Sequence, residues 1–179
     1  MSDSPTLTIR GQRSDDLEQL FGLMNTESLV VNSFELPYGA EDSFRDRYGN
    51  QPAGTHTLIA ETSLPSGRKR IIGAAWLRTT SRRRRIHSGE LTLVVHPDYQ
   101  QTPDEAALLQ AVLDFADNWL GLRRVEVVVY TVQTERVDVL EQHGFEREAT
   151  MQRYAIRAGV YSDAYLLARL HVVTDEEHV

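Results

Sequence analysis

Two segments of this sequence combine side chains that can take part in chemistry. The first holds four consecutive arginines at positions 82–85, followed by His87 and Glu90. Clustered arginines can bind phosphate or nucleic acid, but the same run is also typical of a solvated turn between two strands. We favour the turn, because no aromatic residues interleave the arginines as they do in proteins that bind single strands.

The second segment covers residues 100–105 and predicts the start of a helix. Thr102 suits the N-cap position, Pro103 the first helical position and Glu105 the third. In such a capping box the Thr102 hydroxyl accepts a hydrogen bond from the Glu105 N–H, and the Glu105 carboxylate accepts one from the Thr102 N–H. The helix is therefore expected to satisfy from within some of the N–H groups that a helix start otherwise offers to an anion.

Composition predicts a single domain over residues 1–179, with its core at about 6–171. The 41% hydrophobic and 25% charged residues are those of an ordinary globular protein. The net charge of −7 gives no global attraction for nucleic acid or an anionic membrane, and no apolar run approaches the roughly 18 residues that span a bilayer. Cysteine is absent, which excludes disulfides and thiolate metal sites, and we expect no metal. No secretory signal is visible, so we expect a cytoplasmic location.

Hydrophobic periodicity predicts a mixed α/β sheet, not a doubly wound one, because several strands follow each other directly. Residues 56–61 and 70–79 are predicted to form an antiparallel hairpin across the turn signal at residues 64–67. The β-branched run at 124–131 is typical of a strand buried on both faces. The order is β-α-α-β-β-β-α-β-α-β-β, and the other predicted elements are strands 6–10, 88–95, 147–156 and 161–170 and helices after Ser14, at 41–48 and at 135–142.

Between those elements lies one helix with a clear apolar stripe, which predicts core packing. Its members are Leu108, Ala111, Val112, Phe115 and Trp119, and Gly121 lies near the predicted end. The segment 27–38 shows no periodicity and is expected to be irregular.

The order of elements, together with several motifs, resembles the GNAT superfamily of N-acetyltransferases. Residues 90–99 resemble that family's central strand and the start of its cofactor loop. Residues 117–126, 144–146 and 154–165 resemble a bacterial subgroup that acetylates amino acids and related small amines, as do 36–38 and 84–88. The resemblance extends over residues 7–170. It implies the GNAT fold, transfer of acetyl from acetyl-CoA to a small-molecule amine, and a homodimer.

The resemblance also implies roles for individual residues. The central strand is expected to part from its neighbour at a bulge and to bind the pantetheine arm through its backbone, with the pyrophosphate at the next helix start. Glu90 falls at the family's general-base position; His87 is the alternative base, and pairing with an arginine is the structural alternative. The implied cofactor residues are Leu93, Val94, Val95, Gln100, Gln101, Thr102 and Gln133, and the implied acceptor residues are Phe34, Leu36, Pro37 and Tyr38, together with Tyr154, Tyr161 and Tyr165.

Two regions depart from the family pattern, the cofactor loop and the position of the acid. The cofactor loop is expected to carry small residues where this chain has Pro103 and Glu105, and Asp104 adds a second negative charge. Proline has no N–H to donate and carboxylates repel phosphate, so we expect weak binding of acetyl-CoA. Leu140 stands where the family's tyrosine acid is expected; Tyr130 or another tyrosine is a candidate substitute, and some members of the family work without this tyrosine.

Three functions are compatible with these residues. The first is an acetyl-CoA-dependent N-acetyltransferase of an amino acid or small polar amine, with activity weakened or lost. The second is a non-catalytic GNAT relative that binds a ligand or a protein partner through the inherited pocket. The third is a homodimeric structural or regulatory module. We take the first as the family's default and keep the second as the alternative.

Overall fold

The computed structural model describes residues 6–172; the terminal residues 1–5 and 173–179 of the predicted domain lie outside this range. The strands are β1 (Leu7–Gly11), β2 (Thr55–Ser63), β3 (Lys69–Thr79), β4 (Ser88–Val95), β5 (Arg124–Tyr130), β6 (Glu146–Arg157) and β7 (Val160–Leu170). The helices are α1 (Leu17–Met24), α2 (Glu27–Asn32), α3 (Glu41–Gly49), α4 (Pro103–Asn118) and α5 (Thr134–Gln142). The strands form one seven-stranded sheet in the order β1-β2-β3-β4-β5-β7-β6.

The mixed sheet predicted from the sequence is confirmed, with two local differences near the N-terminus. Three helices, not two, separate β1 from β2, because α2 forms inside the segment expected to be irregular and buries Leu29. Ser14 does not cap the first helix. A 3-10 turn over Ser14–Asp16 leads into α1; Arg13 is the N-cap of that turn, and its N–H donates to the Asp16 carboxylate at 2.7 Å. Burial of Leu29 therefore favours the additional helix α2, and the Asp16 carboxylate fixes where the first turn begins.

The sheet separates two hydrophobic clusters. The larger packs α4 and α5 against one face and includes Leu108, Val112 and Leu140. The smaller lies on the other face, beneath α1 to α3, and includes Leu29 and Trp76. No helix within residues 6–172 is long and apolar enough to cross a membrane.

Two predictions about burial are wrong. Trp119 does not continue the α4 stripe: the helix ends at Asn118, and the Trp119 side chain is 80% exposed. Strand β5 is not buried on both faces either. Val125, Val127 and Val129 are buried, whereas Glu126 and Val128 on the opposite face are only half-buried. The open face of β5 is the one that borders the site described below.

A buried charge cluster ties β1 to its neighbours. The Arg10 guanidinium donates to both oxygens of Asp16 at 2.8 Å and to Glu61 at 2.7 Å, and Lys69 pairs with the same Glu61 at 2.8 Å. Burial acts to raise the pKa of Asp16, but hydrogen bonds from Arg10 and the Arg13 N–H hold it below its ordinary value. Hydrogen bonds from Lys69 and Arg10 likewise lower the pKa of Glu61.

Replacing Arg10 with methionine is expected to lower the free energy of unfolding by about 3–5 kcal/mol at pH 7, because Asp16 and Glu61 lose a buried cation. Urea denaturation measures the change. The matched control is Arg45→Met, whose partner Glu41 lies one turn away on the surface; we expect about 0.3–0.5 kcal/mol there. Equal losses in the two variants would contradict the prediction.

The same cluster makes stability depend on pH. The pKa values of Asp16 and Glu61 are lower in the folded chain than in the unfolded one, so the stabilisation is present near neutral pH. It is lost as the pH falls through the folded pKa values. In Arg10→Met the deficit should shrink below about pH 4, since protonation removes the two unpaired charges.

Candidate functional site

Strands β4 and β5 are paired at one end only. Their parallel pairs run from Ser88↔Arg124 to Glu90↔Glu126 and end there. Beyond that point β4 stays paired with β3 as far as Val95, and β5 stays paired with β7. Residues 91–95 therefore present a backbone edge to a crevice between the strands. The register of β4 with β3 is continuous over the described pairs from Gly89 to Val95, so the strands part without the expected bulge there.

A cavity of about 710 Å³ passes through this crevice and reaches both faces of the sheet. On one face it is lined by Leu29, Tyr48 and Trp76, which belong to or pack on the cluster beneath α1 to α3. On the other face it is lined by Glu105 and Leu140 of α4 and α5. Two ligands can thus reach the same point between the strands from opposite sides.

Two glutamates lie where the strands part. Leu91, Leu93 and Val95 face the α4–α5 cluster, so Glu90, with Glu126 opposite, projects toward the α1–α3 face. Glu90 is exposed and forms an ion pair with Arg78. Both glutamates line the cavity, whereas His87 is exposed and outside its lining.

Glu126 is held more firmly than Glu90. Arg85 and Arg124 each donate to its carboxylate at 2.6 Å. Burial acts to raise the pKa of Glu126, but these hydrogen bonds lower it below the ordinary value. A carboxylate with a lowered pKa is a weak proton acceptor, which disfavours Glu126 as a base.

The start of α4 differs from the predicted capping box. Thr102 lies at the N-cap, but its hydroxyl donates to the Tyr99 carbonyl at 2.7 Å and makes no capping bond. The Glu105 carboxylate accepts from the Gln101 N–H at 2.5 Å, not from Thr102. Gln101 has a left-handed backbone, with φ of 58°. The predicted capping box is therefore wrong: no side chain of residues 6–172 caps α4, and the Glu105 carboxylate accepts from an N–H that precedes the helix.

Glu105 is also one half of a buried ion pair. Its side chain is 2% exposed, and it pairs with Arg136 of α5, whose side chain is 12% exposed. Burial lowers the pKa of Arg136, and the charge of Glu105 opposes this shift. The negative charge of Glu105 at the helix start is therefore neutralised inside the protein.

The other candidate residues are distributed unevenly around the cavity. Leu93, Val94, Gln100, Gln101 and Gln133 line it, whereas Val95 and Thr102 do not. Gln100 donates to the Val95 carbonyl at 2.9 Å, which ties the loop to the end of β4.

Neither Tyr130 nor Tyr48 replaces the missing acid at Leu140. The Tyr130 hydroxyl donates to the Ser33 carbonyl at 3.3 Å, and the residue is 1% exposed and outside the cavity lining. Burial raises its pKa. Tyr48 does line the cavity, but it donates to Glu35 at 3.1 Å, and burial together with that carboxylate raises its pKa to about 12. Both hydroxyl protons are held by protein acceptors.

The aromatic candidates for the acceptor pocket lie in two places. Phe34 lines the cavity and packs on Tyr130 and Tyr154, with ring centroids 4.8 and 5.4 Å apart. Pro37 and Tyr38 lie outside the lining, and Tyr38 is 98% exposed. Leu36, Tyr161 and Tyr165 are also outside it.

Sequence reasoning missed most of the polar residues that line the cavity, and four of them matter for its charge and hydrogen bonding. These four are Asn32, Glu126, Arg136 and Arg157. The alternation of β5 indicates which face Glu126 occupies, but the contacts of the others join segments far apart in the chain, and no local pattern signals them.

The profile of the acetyltransferase (GNAT) family matches residues 23–145. The chain belongs to the GNAT family. An L-amino acid N-acetyltransferase of Escherichia coli (strain K12) is 26% identical over 164 residues, which cover 92% of this chain and 98% of that protein. Among solved structures, the GNAT fold is shared with a spermidine N-acetyltransferase from Vibrio cholerae in complex with CoA and spermine. The TM-score is 0.80 at 22% identity, over 92% of this chain and 95% of the other. A GNAT acetyltransferase from Streptococcus pneumoniae gives a TM-score of 0.75 at 26% identity, over 93% and 100%.

This GNAT chain fits one part of acetyl-CoA better than the other. The free edge of β4 offers backbone donors and acceptors to an extended pantetheine arm near Leu93 and Val94. At the start of α4, where the family binds the pyrophosphate, the Glu105 carboxylate accepts from the Gln101 N–H and pairs with Arg136. Pro103 has no N–H to donate. While the ion pair of Glu105 and Arg136 is closed, the Gln101 N–H and the Arg136 guanidinium are therefore paired within the protein.

Proposed function

We propose that this GNAT chain transfers the acetyl group of acetyl-CoA to the amino group of a small molecule such as an amino acid. The observation that carries the proposal is the cavity that passes between β4 and β5. It lets a thioester arm and an amine meet from opposite faces of the sheet. The name of the Escherichia coli relative and the spermine bound to the Vibrio cholerae neighbour support an amine acceptor.

In this proposal Glu90 accepts the proton that an ammonium group must lose before its nitrogen can act as a nucleophile. Its ion pair with Arg78 is exposed, and such pairs contribute only about 0–1 kcal/mol, so the carboxylate can exchange Arg78 for an ammonium. Acetyl-CoA, when bound, supplies the activated acetyl group. Leu140 has no proton to give and Tyr130 faces Ser33, so water in the open cavity protonates the leaving sulfur.

The alternative is a non-catalytic GNAT protein with impaired cofactor binding. The observation that favours it is the closed pair of Glu105 and Arg136 at the pyrophosphate end. In that case the cavity binds a ligand without transferring an acetyl group.

An assay for amine-dependent release of CoA separates the two. Because the chain contains no cysteine, a thiol reagent reports the released CoA without background from the protein. We expect release that depends on the amine, with the N-acetylated product identified by mass spectrometry; omission of the amine is the control. If no amine of a broad panel is acetylated at saturating acetyl-CoA, the non-catalytic alternative holds.

The location and assembly of the chain stay predictions. We propose the cytoplasm and a homodimer. Exposed apolar residues on β6 and β7, among them Ile156, Val160 and Tyr161, support an interface between copies of the chain.

A further inference from the structure

Four arginines line the cavity, and within residues 6–172 only Arg157 among them lacks a carboxylate partner. The other three pair with glutamates that also line the cavity: Arg47 with Glu35, Arg78 with Glu90 and Arg136 with Glu105. Guanidinium groups in partly enclosed sites are normally paired with an anion. Arg157 is therefore the cavity cation that remains available to a ligand.

The amide of Asn32 holds the Arg157 side chain in place. The Asn32 Oδ1 accepts from Nε of Arg157 at 3.2 Å and from Nη2 at 2.9 Å. A guanidinium has five N–H donors, and among residues 6–172 the other three of Arg157 have no hydrogen-bond partner. Asn32 ends α2 and Arg157 ends β6, and their contact places the guanidinium on the α1–α3 face of the sheet, toward which Glu90 also projects.

Two aromatic side chains, those of Phe34 and Tyr154, line the same cavity as Arg157. Phe34, two residues after Asn32, is 50% exposed and packs edge-on against Tyr154, with centroids 5.4 Å apart. Phe34, Tyr154 and Arg157 all line the cavity. This part of the cavity thus combines hydrogen-bond donors for an oxyanion with apolar surface for a side chain.

We propose that Arg157, oriented by Asn32, binds the carboxylate of the acceptor, so that the acceptor is an amino acid and not a polyamine. This inference rests on the proposed function, since it names the substrate class of the same site. The acceptor carboxylate then meets a cation in the same cavity that Glu90 lines. A polyamine such as spermidine brings a second cation toward Arg157 and is repelled.

The test compares Arg157→Gln with the wild type on L-leucine and on L-leucinamide, which differ only in the carboxylate. We expect kcat/KM for leucine to fall about 10- to 100-fold in the variant, through KM, because a charge-assisted hydrogen bond is lost. The value of kcat/KM for leucinamide is expected to change less than about twofold in Arg157→Gln. The Arg157→Lys variant is expected to keep part of the preference for leucine. The matched control is Arg153→Gln, which removes the same charge from an exposed position on β6 outside the cavity lining.

An equal fall for both substrates would show that Arg157 only supports the fold, and would overturn the inference. So would a wild-type preference for leucinamide or spermidine over leucine. If no amine is acetylated, the proposed function fails, and saturation-transfer NMR of leucine then decides this inference separately. Binding that is present in the wild type and lost in Arg157→Gln supports the carboxylate site; absent or unchanged binding refutes it.

Discussion

Replacing Glu105 with alanine is expected to raise the affinity of the chain for CoA by about 10- to 100-fold, or about 1.4–2.8 kcal/mol. The Glu105 carboxylate now occupies the Gln101 N–H and neutralises Arg136. Alanine frees both groups for a phosphate and removes a negative charge from the helix start. Isothermal titration with CoA measures the gain.

Without CoA, the Glu105→Ala variant should be less stable than the wild type, because the buried Arg136 loses its ion-pair partner. Bound CoA is expected to restore much of that stability, since a phosphate replaces the carboxylate. Thermal melting with and without CoA measures this effect. We expect CoA to raise the melting temperature of Glu105→Ala more than that of the wild type.

Two further variants separate the causes of the gain. Glu105→Ala combined with Arg136→Met removes the cation as well, and we expect it to lose most of the gain. Asp104→Ala removes one negative charge from the first turn but leaves the ion pair of Glu105 and Arg136 intact. Its affinity for CoA is expected to rise less than about threefold. An unchanged affinity in Glu105→Ala, or micromolar affinity in the wild type, would mean that Glu105 does not limit binding.

Replacing Glu90 with glutamine is expected to lower kcat by about 10²- to 10⁴-fold on any amine that the wild type acetylates. Glutamine keeps the size of the side chain and its place on β4, but it cannot accept the proton of the ammonium group. Affinity for CoA should stay unchanged, because Glu90 projects toward the opposite face from α4 and α5. Steady-state kinetics and a CoA titration measure the two quantities.

His87→Gln is the control that tests the alternative base. His87 is exposed and outside the cavity lining, so we expect kcat within about twofold of the wild type. A large loss in His87→Gln combined with nearly full activity in Glu90→Gln would transfer the role to His87. Loss in neither variant would mean that water alone accepts the proton.

Local sequence patterns predicted every strand of the sheet and most of the helices, but not α2. Strand β4 begins and ends where the alternation of residues 88–95 predicts, and the turn signal at 64–67 joins an antiparallel hairpin. These features depend on residues close together in the chain, and the period of their side chains decides helix or strand. The family motif in residues 90–99 is likewise made of residues that are consecutive in the chain.

The partners of the ionisable side chains were decided only by the tertiary structure. Glu105 was expected to cap its own helix, yet it pairs with Arg136, 31 positions away, and takes the N–H of Gln101. Arg157 and Asn32 are 125 positions apart, and no periodicity relates them. The chemistry of this GNAT chain depends on those pairings, because a charge binds a ligand only where the folded chain has not already supplied its counter-ion.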